Sequence, residues 1–298
     1  MSNQKSMMIK RDIREKREIV NIILDRFLPR KDEYPKQIHK AIRHTLFAGG
    51  KRIRPYLTLS VYSLFDTDFS KVKYLAGAIE LLHTYTLIHD DLPEIDNDDM
   101  RRGKQSCHVL YGSDIALLAG DALLVSAFDL LANSPYSDDE KLMYIKELAS
   151  TAGSEGIISG QMNDIVYENK KVTKKTLDYI HNNKTAKLLN LAVRFGCLAA
   201  NASEEDIDRL DKYASKIGLA FQIVDDILDV EGNSAVLGKT IGKDAEVQKA
   251  TFPAVYGLDK SHEMAEKLIK SAQKILSHYG DKAEKLSLLT DFILTRKF

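Results

Sequence analysis

The chain has 298 residues, 44% of them hydrophobic, so it can bury a substantial core. Its 43 basic and 43 acidic side chains sum to zero, which excludes the general basic field of a nucleic-acid binder. Two cysteines, Cys107 and Cys197, lie far apart with no CxxC, which fits neither a disulfide scaffold nor a zinc site.

The charged N-terminal segment lacks the apolar core of a signal peptide. No run of about 20 apolar residues is expected to span a membrane. The expectation is a soluble, cytoplasmic protein.

Helical periodicity recurs over Ile13–Phe27, Tyr34–Leu46, Tyr56–Phe65, Lys71–His89, Ile115–Ala132, Asp138–Ser150, Lys174–Leu198 and Glu204–Asp229, with two further helices near the C-terminus. Ser137 and Ser203, each followed by acidic residues, mark helix starts. Sustained strand alternation and fixed-period repeats are absent. The pattern predicts an all-α fold: one domain over residues 1–298, a helical bundle around a deep central cavity.

Taken in order, the first chemistry lies at Gly49-Gly50-Lys51-Arg52-Ile53-Arg54-Pro55. Two glycines end one helix and Pro55 can start the next. Three cations in four residues can complement a helix C-terminus or wrap one diphosphate. The next helix carries Ala76 to Leu82, then His83, Tyr85 and Thr86. His83 precedes Asp90 by two turns, on roughly the same face. It reads as a phosphate donor or as a core histidine. Tyr85 lies about 7.5 Å deeper than Asp90 along a helix, as a cavity floor or as ordinary packing.

Between Asp90 and Arg102 stand Asp90, Asp91, Glu94, Asp96, Asp98 and Asp99, then Arg101 and Arg102. So many carboxylates beside an apolar helix are tolerable around a hard cation. Mg²⁺ is usually held by one or two carboxylates together with substrate phosphates. Guanidinium groups suit those phosphates. Asp90 and Asp96 are six apart, about 240° on a straight helix. Pro93 should loosen the backbone and let Asp96 swing back toward Asp90. Glu94, the i+4 partner, is the alternative ligand. Asp98 and Asp99 are expected to cap or to pair with the arginines.

Further on, Asp121 reads as a buried hydrogen-bond partner. Gln161 and Asp164 share a face in a motif that follows a helix of small residues. Lys184-Thr185 interrupts another helix. A second acidic motif then answers the first. Asp225 and Asp229 share one face of a mostly buried helix, with Asp226 one position round and Gln222 one turn earlier. Buried like charges are costly unless paired or bound to metal. Lys239, Lys243 and Lys249 follow. Gly238-Lys239-Thr240 is no phosphate loop, because Asn233 stands where the earlier glycine belongs and no strand precedes it.

Together these motifs, in this order over nearly the whole chain, resemble those of the trans-isoprenyl diphosphate synthases, most closely the bacterial farnesyl diphosphate synthases. One departure is Ser159, where that family commonly has glycine, and it is expected to matter little. The resemblance implies a homodimer acting on isopentenyl diphosphate and allylic diphosphates, with three Mg²⁺ ions for which Mn²⁺ can substitute. It implies metal binding at Asp90, Asp96 and Asp225, with Asp91, Asp226 and Asp229 in the same site or beside it. Arg101, Lys184, Lys239 and Lys249 would hold the allylic diphosphate. Lys51, Arg54, His83 and Arg102 would hold isopentenyl diphosphate. Thr185 and Gln222 would steady a carbocation. An aromatic Tyr85, with Thr86 beside it, implies a farnesyl product. The rivals are geranylgeranyl diphosphate, a terpene cyclase, a non-catalytic regulatory subunit and a carboxylate di-iron bundle, which would want Glu-x-x-His pairs.

Overall fold

The computed structural model describes residues 3–170, 172–231 and 251–295. Among the described residues the architecture is helical, apart from one two-stranded ribbon, β1 (Met100–Arg101) with β2 (Lys104–Gln105). Helix α1 (Asn3–Phe27) is followed by α2 (Lys36–Leu46), α3 (Ile53–Tyr62) and α4 (Phe69–Asp90). After the ribbon come α5 (Cys107–Tyr111), α6 (Ser113–Ala132), α7 (Asp138–Ala152) and α8 (Ile157–Val166). Then come α9 (Lys174–His181), a π-helical turn (Asn182–Ala186), α10 (Lys187–Ala199) and the long α11 (Glu204–Glu231). Beyond residue 250 lie α12 (Phe252–Tyr256), α13 (Leu258–Leu276), a 3₁₀ stretch (Ser277–Ala283) and α14 (Glu284–Thr295).

Local chemistry sets where the helices start. Ser137 Oγ accepts from Glu140 N while Glu140 accepts from Ser137 N, a complete capping box. Asp68 caps α4 through Ser70 N, Thr173 caps α9 through Thr176 N, and Ser203 accepts from Asp206 N at the start of α11.

Helix α4 is apolar on every side from Leu75 to Leu82 except at Glu80, and that is why it lies in the middle. Its run Leu75 to Leu82 is buried throughout, flanked by α3, α6 and α10. Helix α11 packs on α10 and on the amphipathic α13. A main core surrounds α4, and a smaller one joins the lower half of α11 to α9, α12 and α13. The cavity opens between these two cores.

Three expectations are corrected. The single helix Lys174–Leu198 is two helices joined by a π turn. The Gly160–Asp164 motif lies inside helix α8 rather than after a helix. Asp121 is exposed on α6, not buried. In addition, α6 is long and apolar enough to cross a membrane by length and composition, although sequence reading expected no such run. One side of it is buried on α4, and Leu117, Leu118 and Val125 are exposed on the other.

Candidate active site

A cavity of about 530 Å³ is walled by α3, α4, α8, the π turn, α11 and the loop after α4. Its size falls within the usual range for small-molecule sites. Helix α4 ends at Asp90, two residues before the expected loosening at Leu92. The chain then folds back on the helix end: Asp96 N donates to Asp90 O (2.9 Å), Asn97 N to Leu92 O (3.0 Å) and Asp98 N to Asp91 O (3.2 Å). This turn puts Asp96 beside Asp90 on the cavity wall, a return that a spacing of six forbids on a straight helix. Glu94, the alternative ligand, points to solvent outside that wall.

Asp225 and Asp229 face the same cavity from α11. Among the described residues no preformed cluster of three or more His, Cys, Asp or Glu side chains could hold a metal. Mg²⁺ takes few protein carboxylates and completes its shell with water and phosphate oxygens. The charge balance fits as well. Burial, reinforced by Asp96 and Asp91 against the opposing Lys184 and Arg101, pushes Asp90 up to about 6. A carboxyl held in this way lacks positive charge that a divalent cation would supply.

Asp91 is not placed with these cavity-lining carboxylates. It is 1% exposed and lies outside the cavity wall, where Arg101 binds it through Nε (2.9 Å) and Nη2. The adjacent position on a helix end points Asp91 inward, so it serves to hold Arg101. Asp98 shares that arginine (3.0 Å), the pairing expected from the sequence. Exposed Asp99 has no part in it and stands 3.9 Å from His108. Asp226 borders the cavity but spends its oxygens on Gln222 Nε2 (2.7 Å) and Phe252 N (2.9 Å). It ties the second acidic helix to the start of α12.

Lys184 enters from the π turn and pairs with Asp164 of α8 at 2.5 Å. Burial opposes its charge, but Asp164, Asp90 and Asp96 outweigh burial and raise its pKa above the usual lysine value. The close approach of α8 requires Gly160, since a β-carbon there would overlap the Asn183–Lys184 backbone. Ser159 strengthens the same contact. Its Oγ donates to Gly156 O (2.8 Å) and accepts from Tyr179 OH of α9 (3.2 Å). Next to Lys184, Thr185 donates to Gln222 Oε1 at 2.6 Å.

At the α3 side, Arg54 Nη1 donates to His83 Nε2 at 3.1 Å, and the guanidinium lies 5.9 Å from the Phe221 ring. Burial, then Arg54, Arg102, Arg52 and Arg101, push the His83 pKa well below its ordinary value. His83 is therefore neutral. With Nε2 accepting from Arg54, its proton is on Nδ1, available to an anion. Tyr85 and Thr86 line the wall, and the Tyr85 ring stands edge-on to His89 with centroids 4.8 Å apart.

Lys51 and Arg102 lie beside this end rather than in the wall. Lys51 sits 5.0 Å above the Phe292 ring, and Arg102 Nη1 donates to Gly49 O (3.0 Å). Arg52, read from sequence as part of a three-cation cluster, turns inward. It is 4% exposed and bound to Glu80 and Leu46 O. Glu80 escaped sequence reading. The available signal was a lone carboxylate inside an apolar helix, which must find a partner. Lys239, Lys243 and Lys249 lie outside the described residues.

The polyprenyl synthetase family model matches residues 35–289. A geranylgeranyl diphosphate synthase from Cyanophora paradoxa is 43% identical over 285 residues, spanning 95% of this chain and 94% of that one. An FPP/GFPP synthase from Zymomonas mobilis superposes with a TM-score of 0.87 at 32% identity, over 97% of this chain and 99% of that one. A Helicobacter pylori geranyltransferase, solved with magnesium and isoprenyl diphosphate, gives 0.83 at 30% identity over 98% of each chain. Two acidic helices facing one cavity, a charged lysine between them and a matching fold and sequence across the chain place it in the polyprenyl synthetase family, the trans-isoprenyl diphosphate synthases.

Proposed function

We propose that the chain extends allylic diphosphates with isopentenyl diphosphate and releases geranylgeranyl diphosphate. One observation carries the reading. A single cavity joins carboxylates from two helices, the cations Lys184, Arg54 and Arg101, and an apolar wall that includes Ile158 and Met162. Such a site can hold two diphosphates at one end and a hydrocarbon along its wall. Asp90, Asp96, Asp225 and Asp229 would hold Mg²⁺. Bound there with the allylic diphosphate, Mg²⁺ supplies positive charge to the leaving group.

The chain's own residues do the rest. Lys184 and Arg101 hold the allylic diphosphate and stabilise it as the C–O bond breaks with both electrons. Thr185 spends its hydroxyl hydrogen on Gln222, so its oxygen offers lone pairs to the allylic cation. Arg54 and neutral His83 orient isopentenyl diphosphate so that its double bond attacks that cation. The new C–C bond leaves a tertiary cation, which loses a proton to the released diphosphate. Apolar side chains keep water from intercepting either cation.

The C20 product is supported by the geranylgeranyl diphosphate synthase to which the chain is similar over nearly its full length. A second reading, C15, is favoured by Tyr85 on the cavity wall. Incubating the protein with Mg²⁺, isopentenyl diphosphate and dimethylallyl diphosphate, then resolving the dephosphorylated alcohols, tests both. Mainly geranylgeraniol is expected. Mainly farnesol, with Tyr85→Ala extending it to C20, would establish Tyr85 as the floor instead. No elongation by the folded protein would defeat the proposal. The protein is proposed to work as a homodimer, with the exposed apolar side of α6 at the interface.

A further inference from the structure

Glu80 lies one turn before His83 on α4, 1% exposed, at a point where three segments meet. Its Oε1 binds Arg52 and lies 3.6 Å from Arg102 Nη2, while Oε2 is buried with no hydrogen bond. Both arginines occupy the left-handed backbone region, Arg52 at φ 53° and Arg102 at φ 56°. Non-glycine residues rarely adopt that conformation unless surrounding structure holds them there. Arg52 is also the residue preceding helix α3, so its position fixes where Arg54 begins. Gly50, at φ +98°, completes the arrangement. A β-carbon there would meet the Arg102 guanidinium at 2.9 Å.

The two arginines repel each other and also depress His83, so nothing among the cations themselves keeps them together. The carboxylate is what they share. Burial works against the charge of Arg102, and Glu80 is the partner that offsets it. We propose that Glu80 is a positioning residue for isopentenyl diphosphate. It gathers Arg102 and the turn from Gly50 to Arg54 into one anion-binding edge without touching the substrate. This rests on the proposed function, because the anion at that edge is taken to be isopentenyl diphosphate.

The test is calorimetric binding of isopentenyl diphosphate, run beside steady-state kinetics with both substrates varied. Glu80→Gln keeps the shape and removes the charge. It is expected to weaken isopentenyl diphosphate binding at least tenfold and raise its KM in parallel, with the KM for the allylic diphosphate within twofold of wild type. Equal changes in both KM values would overturn the proposal, as would unchanged binding. Glu80→Gln also leaves Arg52 buried without a charged partner, so a double variant separates the roles. If Glu80 only neutralises Arg52, Glu80→Gln with Arg52→Gln restores wild-type binding, and that too would overturn the proposal. Persistent loss in the double variant is the expected result. Wild-type protein that binds no isopentenyl diphosphate would defeat the functional reading itself, an outcome visible before any variant is made.

Discussion

As a proposed Mg²⁺ ligand, Asp90 sits where binding and stability would pull in opposite directions. Its carboxyl is raised from 3.8 to about 6 by burial and by neighbouring carboxylates. In metal-free protein the folded chain therefore keeps this proton to higher pH than the unfolded chain does. The folded state binds more protons between about pH 4 and pH 6, so stability falls as pH rises through that window. Asp90→Asn removes the charge. In EDTA at pH 7.5 the variant is expected to melt about 2 °C or more above wild type, with the gap closing toward pH 4. Elongation by the variant should be almost abolished. A lower melting temperature at pH 7.5 would show that the carboxylate is satisfied without metal. The alternation of roles around it was only half legible. Both acidic motifs stand out in sequence, but neighbours one residue apart serve different ends. Asp90 faces the cavity while Asp91 holds Arg101, and Asp225 faces the cavity while Asp226 holds Gln222 and Phe252. A rotation of about 100° per residue separates them, and only the packed helix says which one faces in.

The π turn between α9 and α10 is the element that delivers Lys184. A lysine and a threonine breaking an apolar pattern are visible in sequence, and so was an interruption at that place. The partner across the gap was not, because Gly160 and Asp164 belong to a helix some twenty residues earlier. Gly160→Ala should push α8 off the turn and displace Lys184 from Asp164. A misplacement of that order is expected to lower kcat/KM for the allylic substrate about 10- to 100-fold with far-UV circular dichroism unchanged. Wild-type kinetics in the variant would mean that the turn positions Lys184 without α8. The short helix α5 escaped notice for a simpler reason. Five residues are too few for a 3.6-residue period to register.

At the scale of the whole molecule, the exposed side of α6 stands out. Leu117, Leu118 and Val125 are 46%, 54% and 66% exposed on a helix whose other side packs on α4. Apolar groups grouped on one helix face mark an interaction surface more often than single exposed ones do. Wild-type protein is expected to sediment as a dimer, and Leu118→Glu with Val125→Glu as a monomer with native circular dichroism. A wild-type monomer at micromolar concentration would remove this surface from the proposal.

Periodicity and composition alone determined the helical class, most of the long helices, the capped starts at Ser137 and Ser203, and the two acidic motifs that point to diphosphate chemistry. These follow from local rules: the pitch of a helix, the unsatisfied amides at its start, the repulsion among clustered carboxylates. Tertiary structure decided what depends on residues distant in the chain. It chose which carboxylates face the cavity, brought Asp164 to Lys184, turned Arg52 inward and gave Glu80 its two arginines. A side chain's neighbours across a packed interface are set by the crossing of helices. No local pattern encodes that crossing, so a buried glutamate announces that it has a partner without saying which.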